Sequence, residues 1–127
     1  MAIDSSILYS FSTTGPTINV LHSSDRMQVM VVCLDDGQEI PPHNGPCDVL
    51  LYVLAGRGVL TIGGEEVIAQ TGTALVVPSM VVRGIRSRGR FAVLCVTNNC
   101  GVCALDLQAV TSETAVVGGQ WSGVGKN

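Results

Sequence analysis

The sequence predicts an all-β single domain of the sandwich, jelly-roll or barrel kind. Two observations carry that expectation, and a third says what the core is made of. From Thr17 onward the chain repeats one pattern, a short run rich in β-branched residues followed by a turn signal, at intervals of about ten residues. No segment sustains a 3.6-residue apolar period over three turns, so helix is at most a minor component. The chain has 127 residues and is 46% hydrophobic but only 4% aromatic, which leaves Val, Leu, Ile and Ala to build the core. One domain of this length buries roughly two-thirds of the surface that its unfolded chain exposes.

The runs follow one another at 18–21, 27–34, 49–54, 59–62, 65–69, 74–77, 81–86, 91–96 and 103–107. Each is bounded by residues that favour turns: SSDR, DDG, PPHNGP, GRG, GG, QTG, PS, RSRG and NNCG in order. Gly63-Gly64 is the strongest hairpin signal, because glycine adopts the positive φ that a two-residue primed turn requires. The expected organisation is an N-terminal strand or arm over 1–26, a barrel over 27–110 and a glycine-rich tail over 111–127 that carries Trp121.

The formal charge of −3, with only 13% charged residues, gives no reason to expect nucleic acid or an anionic membrane as a partner. The cluster Arg83, Arg86, Arg88 and Arg90 reads as a solvated hairpin turn, since no aromatic platform accompanies it. The N-terminus lacks a basic n-region and carries Asp4, and the longest apolar run, 49–55, is far too short to span a bilayer. A cytoplasmic location with reduced thiols is therefore the expectation for the five cysteines. Cys33 and Cys95 read as core residues. His22 has no recognisable partner and is given no role.

Two glycine frames make the pattern specific. Gly37, QEIPP and His43 open the first, which Gly56 closes; Gly72, TALVV and Pro78 begin the second. Across about residues 27 to 97 these frames resemble the two motifs of the cupin superfamily. The resemblance implies a double-stranded β-helix, or jelly-roll barrel, and a homodimer in which N-terminal strands are often exchanged. Residues 7–11 are apolar enough to serve that interface. The departures fall on the family's metal ligands. Gly45 stands at the second histidine, Val49 at the glutamate and Arg83 at the third histidine, so only His43 of four ligand positions survives. Met80 and Ser87 replace the second motif's later glycine and its asparagine.

Strand alternation carries the site expectation further. If Val49 points inward, so do Cys47, Leu51 and Val53, while Asp48 points out. The expected pocket is lined by His43, Cys47, Leu51, Val53, Arg83 and Ile85, with His43 the one candidate acid or base. No cofactor is expected; His43 and Cys47 are the fallback pair for a divalent metal, and Arg83 would repel it. An inward guanidinium needs a counter-charge, so a small organic anion is the first expectation for the ligand, and Arg83→Met is expected to be at least as stable as the parent. The alternative for Arg83 is a place at the rim, paired with Asp48, Glu65 or Glu66. Two rivals stand beside the anion-binding reading. One is a metal-dependent lyase, isomerase or cyclase using His43. The other is a dimeric scaffold whose chemistry lies in Cys100-Gly-Val-Cys103, a lone CxxC that is a weaker candidate for a redox pair or half a zinc site.

Overall fold

A computed structural model of the chain describes residues 9–98. Seven strands form one antiparallel sheet: β1 (Thr17–Ser23), β2 (Met27–Leu34), β3 (Glu39–His43), β4 (Val49–Ile62), β5 (Glu65–Gln70), β6 (Ala74–Val77) and β7 (Arg83–Asn98). The path runs β1-β2-β7-β4-β5, with β3 added to β7 and β6 added to β4. The described residues contain no helix, in keeping with the sequence expectation. Among them no helix is long and apolar enough to cross a membrane.

Two long strands organise the molecule. The first half of β4 pairs with β6 and its second half with β5, while β7 pairs along nearly the whole of β4. The first part of β7 pairs with β3 and its last eight residues, Phe91 to Asn98, with β2. Each long strand therefore serves two faces, and it bends between them. The bend lies where the β4–β7 register shifts, between Val53 and Ala55 and again between Gly56 and Arg57. Gly56 makes that bend feasible. Its φ is +85°, and a Cβ there would lie 1.9 Å from the Arg90 carbonyl oxygen.

Here the structure corrects the sequence reading. The pairs of runs 49–54 with 59–62, and 81–86 with 91–96, are single strands. Gly-Arg-Gly and Arg-Ser-Arg-Gly mark bulges and not reversals, since glycine serves a bulge as readily as a turn. The arginines of the second segment consequently stand along β7 and are not clustered on a hairpin. Arg86 pairs with Glu66 at 3.2 Å, and Arg90 lies 3.7 Å from Asp35 and 4.9 Å from the centre of the Phe11 ring. The stretch around Pro41-Pro42 is a strand, β3, where punctuation was expected. It pairs with β7 alone, and the register shifts between Ile40 and His43, so the two prolines remove no inner ladder bond.

Side chains alternate across this sheet. Met30, Val32 and Leu34 of β2, Val49, Leu51 and Val53 of β4, and Val93 and Cys95 of β7 all enter the main core. A smaller cluster of Val31, Cys33 and Ala92 lies on the opposite face, against Tyr9, Phe11 and Leu21. β1 pairs with β2 of its own chain from Thr17↔Cys33 to Ser23↔Gln28, which makes it a strand of this barrel. Trp121 and the run at 103–107 lie outside the described residues.

Candidate functional site

At one end of the barrel the loop from Asn44 to Asp48 meets the segment between β6 and β7, and a polar lattice joins them. The Met80 amide donates to the Gly45 carbonyl at 2.8 Å, the Ser79 amide to Asp48 Oδ1 at 2.8 Å and Ser79 Oγ to the Pro46 carbonyl at 2.7 Å. Arg83 is the centre of this lattice. Its side chain runs inward from the first residue of β7, and the residue is 7% exposed. Nη1 donates to the Cys47 carbonyl at 2.7 Å, Nη2 to those of Gly45 at 3.1 Å and Pro78 at 3.0 Å, and Nε to that of Val81 at 3.1 Å. A planar fork with donors on three nitrogens suits such a set of converging carbonyls. Arg83 is thus inside the barrel end and not at its rim. Backbone carbonyls of Gly45, Cys47, Pro78 and Val81 meet its donors there.

Met80 belongs to the same lattice and carries strain. Its φ is +68°, which makes it a non-glycine residue in the left-handed region. This is the position at which the cupin pattern has glycine. The turn keeps the conformation and the side chain bears its cost, while pointing to solvent at 60% exposure.

Behind the lattice lies a recess that opens to solvent at this end of the barrel. Its walls are mostly apolar: Met30 of β2, Ile40 of β3, Val49 and Leu51 of β4, and Ile85 of β7. His43, half-buried, stands on its rim with Nδ1 3.0 Å from the Pro41 carbonyl. Cys95 and Thr97 face it from the last part of β7. Burial pushes the Cys95 thiol up to about 12, so it stays protonated at neutral pH and marks a wall that disfavours charge.

Of the six residues expected at the pocket, His43, Leu51, Arg83 and Ile85 line it. Val53 and Cys47 do not. Val53 points inward as alternation requires, but it is fully buried in the core beyond the cavity. Cys47 precedes the start of β4, so the alternation that holds from Val49 onward does not govern it. It is fully buried and disulfide-bonded, which removes it both from the pocket and from the fallback metal pair. Cys33 and Cys95 are free. Cys100 and Cys103 lie outside the described residues.

The lining residues missed in the sequence include Met30, Ile40 and Thr97. Thr97 is the most consequential: it is 5% exposed, and its Oγ1 has no hydrogen-bond partner among the described residues. It falls one residue past the run expected to end at 96, yet Val93, Cys95 and Thr97 share one face of the strand. Extending the alternation by one step would have found it.

A first-row metal does not fit the residues at this end. Gly45 and Val49 offer no side-chain donor, Arg83 brings a fixed positive charge, and one imidazole does not hold a divalent ion. Among the described residues no three His, Cys, Asp or Glu side chains are grouped to bind one.

The family model of the cupin domain matches residues 30–97, and the chain belongs to the cupin superfamily. Its strands form the family's double-stranded β-helix. Among solved structures it is similar to a protein from Thermus thermophilus, at 26% identity and a TM-score of 0.72, over 76% of this chain and 95% of that one. It is also similar to a cupin superfamily protein from Desulfitobacterium hafniense, at 25% identity and TM-score 0.68, over 72% and 84% of the two chains. An RmlC-like cupin from Desulfovibrio desulfuricans shares the fold at 24% identity and TM-score 0.66, over 70% and 87%. No curated protein matches.

Proposed function

We propose that this cupin binds a small organic molecule in its barrel without a metal held by the family's usual ligands. The observation that carries this reading is the cavity itself, an apolar recess between β2, β3, β4 and β7 that opens beside His43. Binding is favoured over turnover because the polar groups on its wall are poorly suited to chemistry. The Cys95 thiol is held protonated by burial, and the Arg83 donors are directed at main-chain carbonyls. Among the described lining residues His43 is the one that supplies an acid or base, at the rim. The anionic ligand that Arg83 suggested in the sequence loses its main support, since the guanidinium is engaged in holding two loops together. The outer side chains Leu50, Tyr52 and Val76, exposed on paired β4 and β6, support a homodimer.

Native mass spectrometry of protein purified without chelators tests the reading. The expected result is a bound small molecule released on denaturation, with well under one transition-metal ion per chain by elemental analysis. Stoichiometric metal that disappears in His43→Ala would overturn it in favour of a metal-dependent enzyme.

A further inference from the structure

Two buried side-chain atoms among the described residues have no hydrogen-bond partner, Gln28 Oε1 and Thr97 Oγ1. They are not scattered. Gln28 of β2 and Thr97 of β7 are direct cross-strand partners in the antiparallel ladder, so their side chains stand on the same face, side by side. That face is the inner one: Gln28 is 3% exposed and in phase with Met30, which lines the cavity, and Thr97 lines it directly. Gln28 Nε2 is occupied, donating to Ser23 Oγ at 3.2 Å, which leaves the carbonyl oxygen of the amide as the orphan. A buried polar atom without a partner costs stability. Two such atoms at neighbouring positions, in a barrel packed mostly with aliphatic side chains, point to a group that arrives from outside the chain.

We propose that Gln28 and Thr97 form the polar recognition pair of the pocket, receiving the hydroxyl or carboxamide of a small, uncharged, otherwise apolar molecule. The chemistry of the pair selects that group. Oε1 accepts, whereas the threonine hydroxyl both donates and accepts, so the incoming group must donate to glutamine and can do either with threonine. An alcohol or a primary amide does this; a carboxylate only accepts and would face Oε1 with repulsion. The apolar walls around Met30, Val49 and Leu51 take the remainder of the molecule. This inference rests on the reading of the barrel as a small-molecule site and names what that site selects.

The test is a methyl NMR titration of the full chain with 1-hexanol, hexanamide, hexanoate and 1-chloropentane, following the methyl signals of Met30, Val49 and Leu51. Hexanol and hexanamide are expected to bind at least tenfold more tightly than hexanoate. Thr97→Val, which keeps shape and removes the hydroxyl, is expected to weaken both by at least tenfold and to leave chloropentane unaffected; Thr97→Ser is expected to restore binding. Gln28→Leu is expected to act like Thr97→Val, and if it does not fold, the threonine variants decide alone. Hexanol binding that is indifferent to Thr97→Val overturns the recognition pair while leaving an apolar pocket. Hexanoate binding more tightly than hexanol overturns the uncharged class. If no probe, chloropentane included, moves these methyl signals, the small-molecule reading falls and the recognition pair with it.

Discussion

Arg83 and the Gln28–Thr97 pair are both polar groups buried in a barrel of aliphatic side chains, and their surroundings are opposite. The arginine donates to the carbonyls of Gly45, Cys47, Pro78 and Val81, so it joins the loop before β4 to the segment before β7. The glutamine and threonine each keep one atom with no partner, on the face that borders the cavity. A buried polar group whose hydrogen bonds are met within the chain contributes to the fold. One whose hydrogen bonds are unmet costs stability and calls for a partner. Charge and position in a motif point to Arg83 as the functional residue; hydrogen-bond accounting points to Thr97.

The largest effect that separates the two regions is expected from Arg83→Met. Removing the guanidinium takes the donor from the buried Cys47 carbonyl and from the part-buried Pro78 and Val81 carbonyls, while Gly45 keeps the Met80 amide, and each unmet buried acceptor costs about 1–3 kcal/mol. Urea unfolding should show a loss of that size, where the sequence alone led to the expectation of none. Stability equal to the parent's would return Arg83 to the list of ligand-binding residues.

Cys47 belongs to the same loop, and its carbonyl accepts from Arg83. Cys47→Ser removes a disulfide and is expected to cost about 2–4 kcal/mol, with a comparable loss when the parent protein is unfolded in excess dithiothreitol. A variant as stable as the oxidised parent would show that the hydrogen-bonded lattice holds the loop without the disulfide.

Met80→Gly is expected to act in the other direction and more weakly. A non-glycine residue in the left-handed region costs about 1–2 kcal/mol, and part of the relief is lost to the greater freedom of glycine in the unfolded chain. The net gain should be about 0.5–1 kcal/mol, read as a higher urea midpoint at an unchanged slope. A loss would mean that the Met80 side chain contributes contacts that outweigh the strain.

The barrel was legible in the sequence because its determinants are local. β-branched runs, the Gly63-Gly64 hairpin and the glycines at 37, 56 and 72 follow from the conformations that these residues adopt, and all three of those glycines have positive φ. The same reasoning miscounted the strands, since a glycine that bends a strand and one that reverses it look alike in sequence. Half of the site was legible for a similar reason: alternation along β4 put Leu51 inside, and the glycine frame put His43 and Arg83 at the barrel end. The partners of Arg83 were not legible, because they are main-chain carbonyls, and every residue has one. Cys47 was misplaced because alternation was carried two residues past the end of a strand. Gln28 and Thr97 were within reach. Each is a polar residue in phase with inward aliphatic ones, a pattern that calls for a partner even before the cross-strand register shows that they meet.

The most direct test of the central claim is the stability of Thr97→Val without added ligand, measured by urea unfolding of protein freed of any bound molecule. If the Thr97 hydroxyl is an unmet polar group kept for binding, the isosteric valine removes its burial cost, and the variant should be at least as stable as the parent, by up to about 1 kcal/mol. A loss of about 1 kcal/mol or more would mean that the hydroxyl is satisfied within the folded chain, and the contrast between Arg83 as structure and Thr97 as site would not stand.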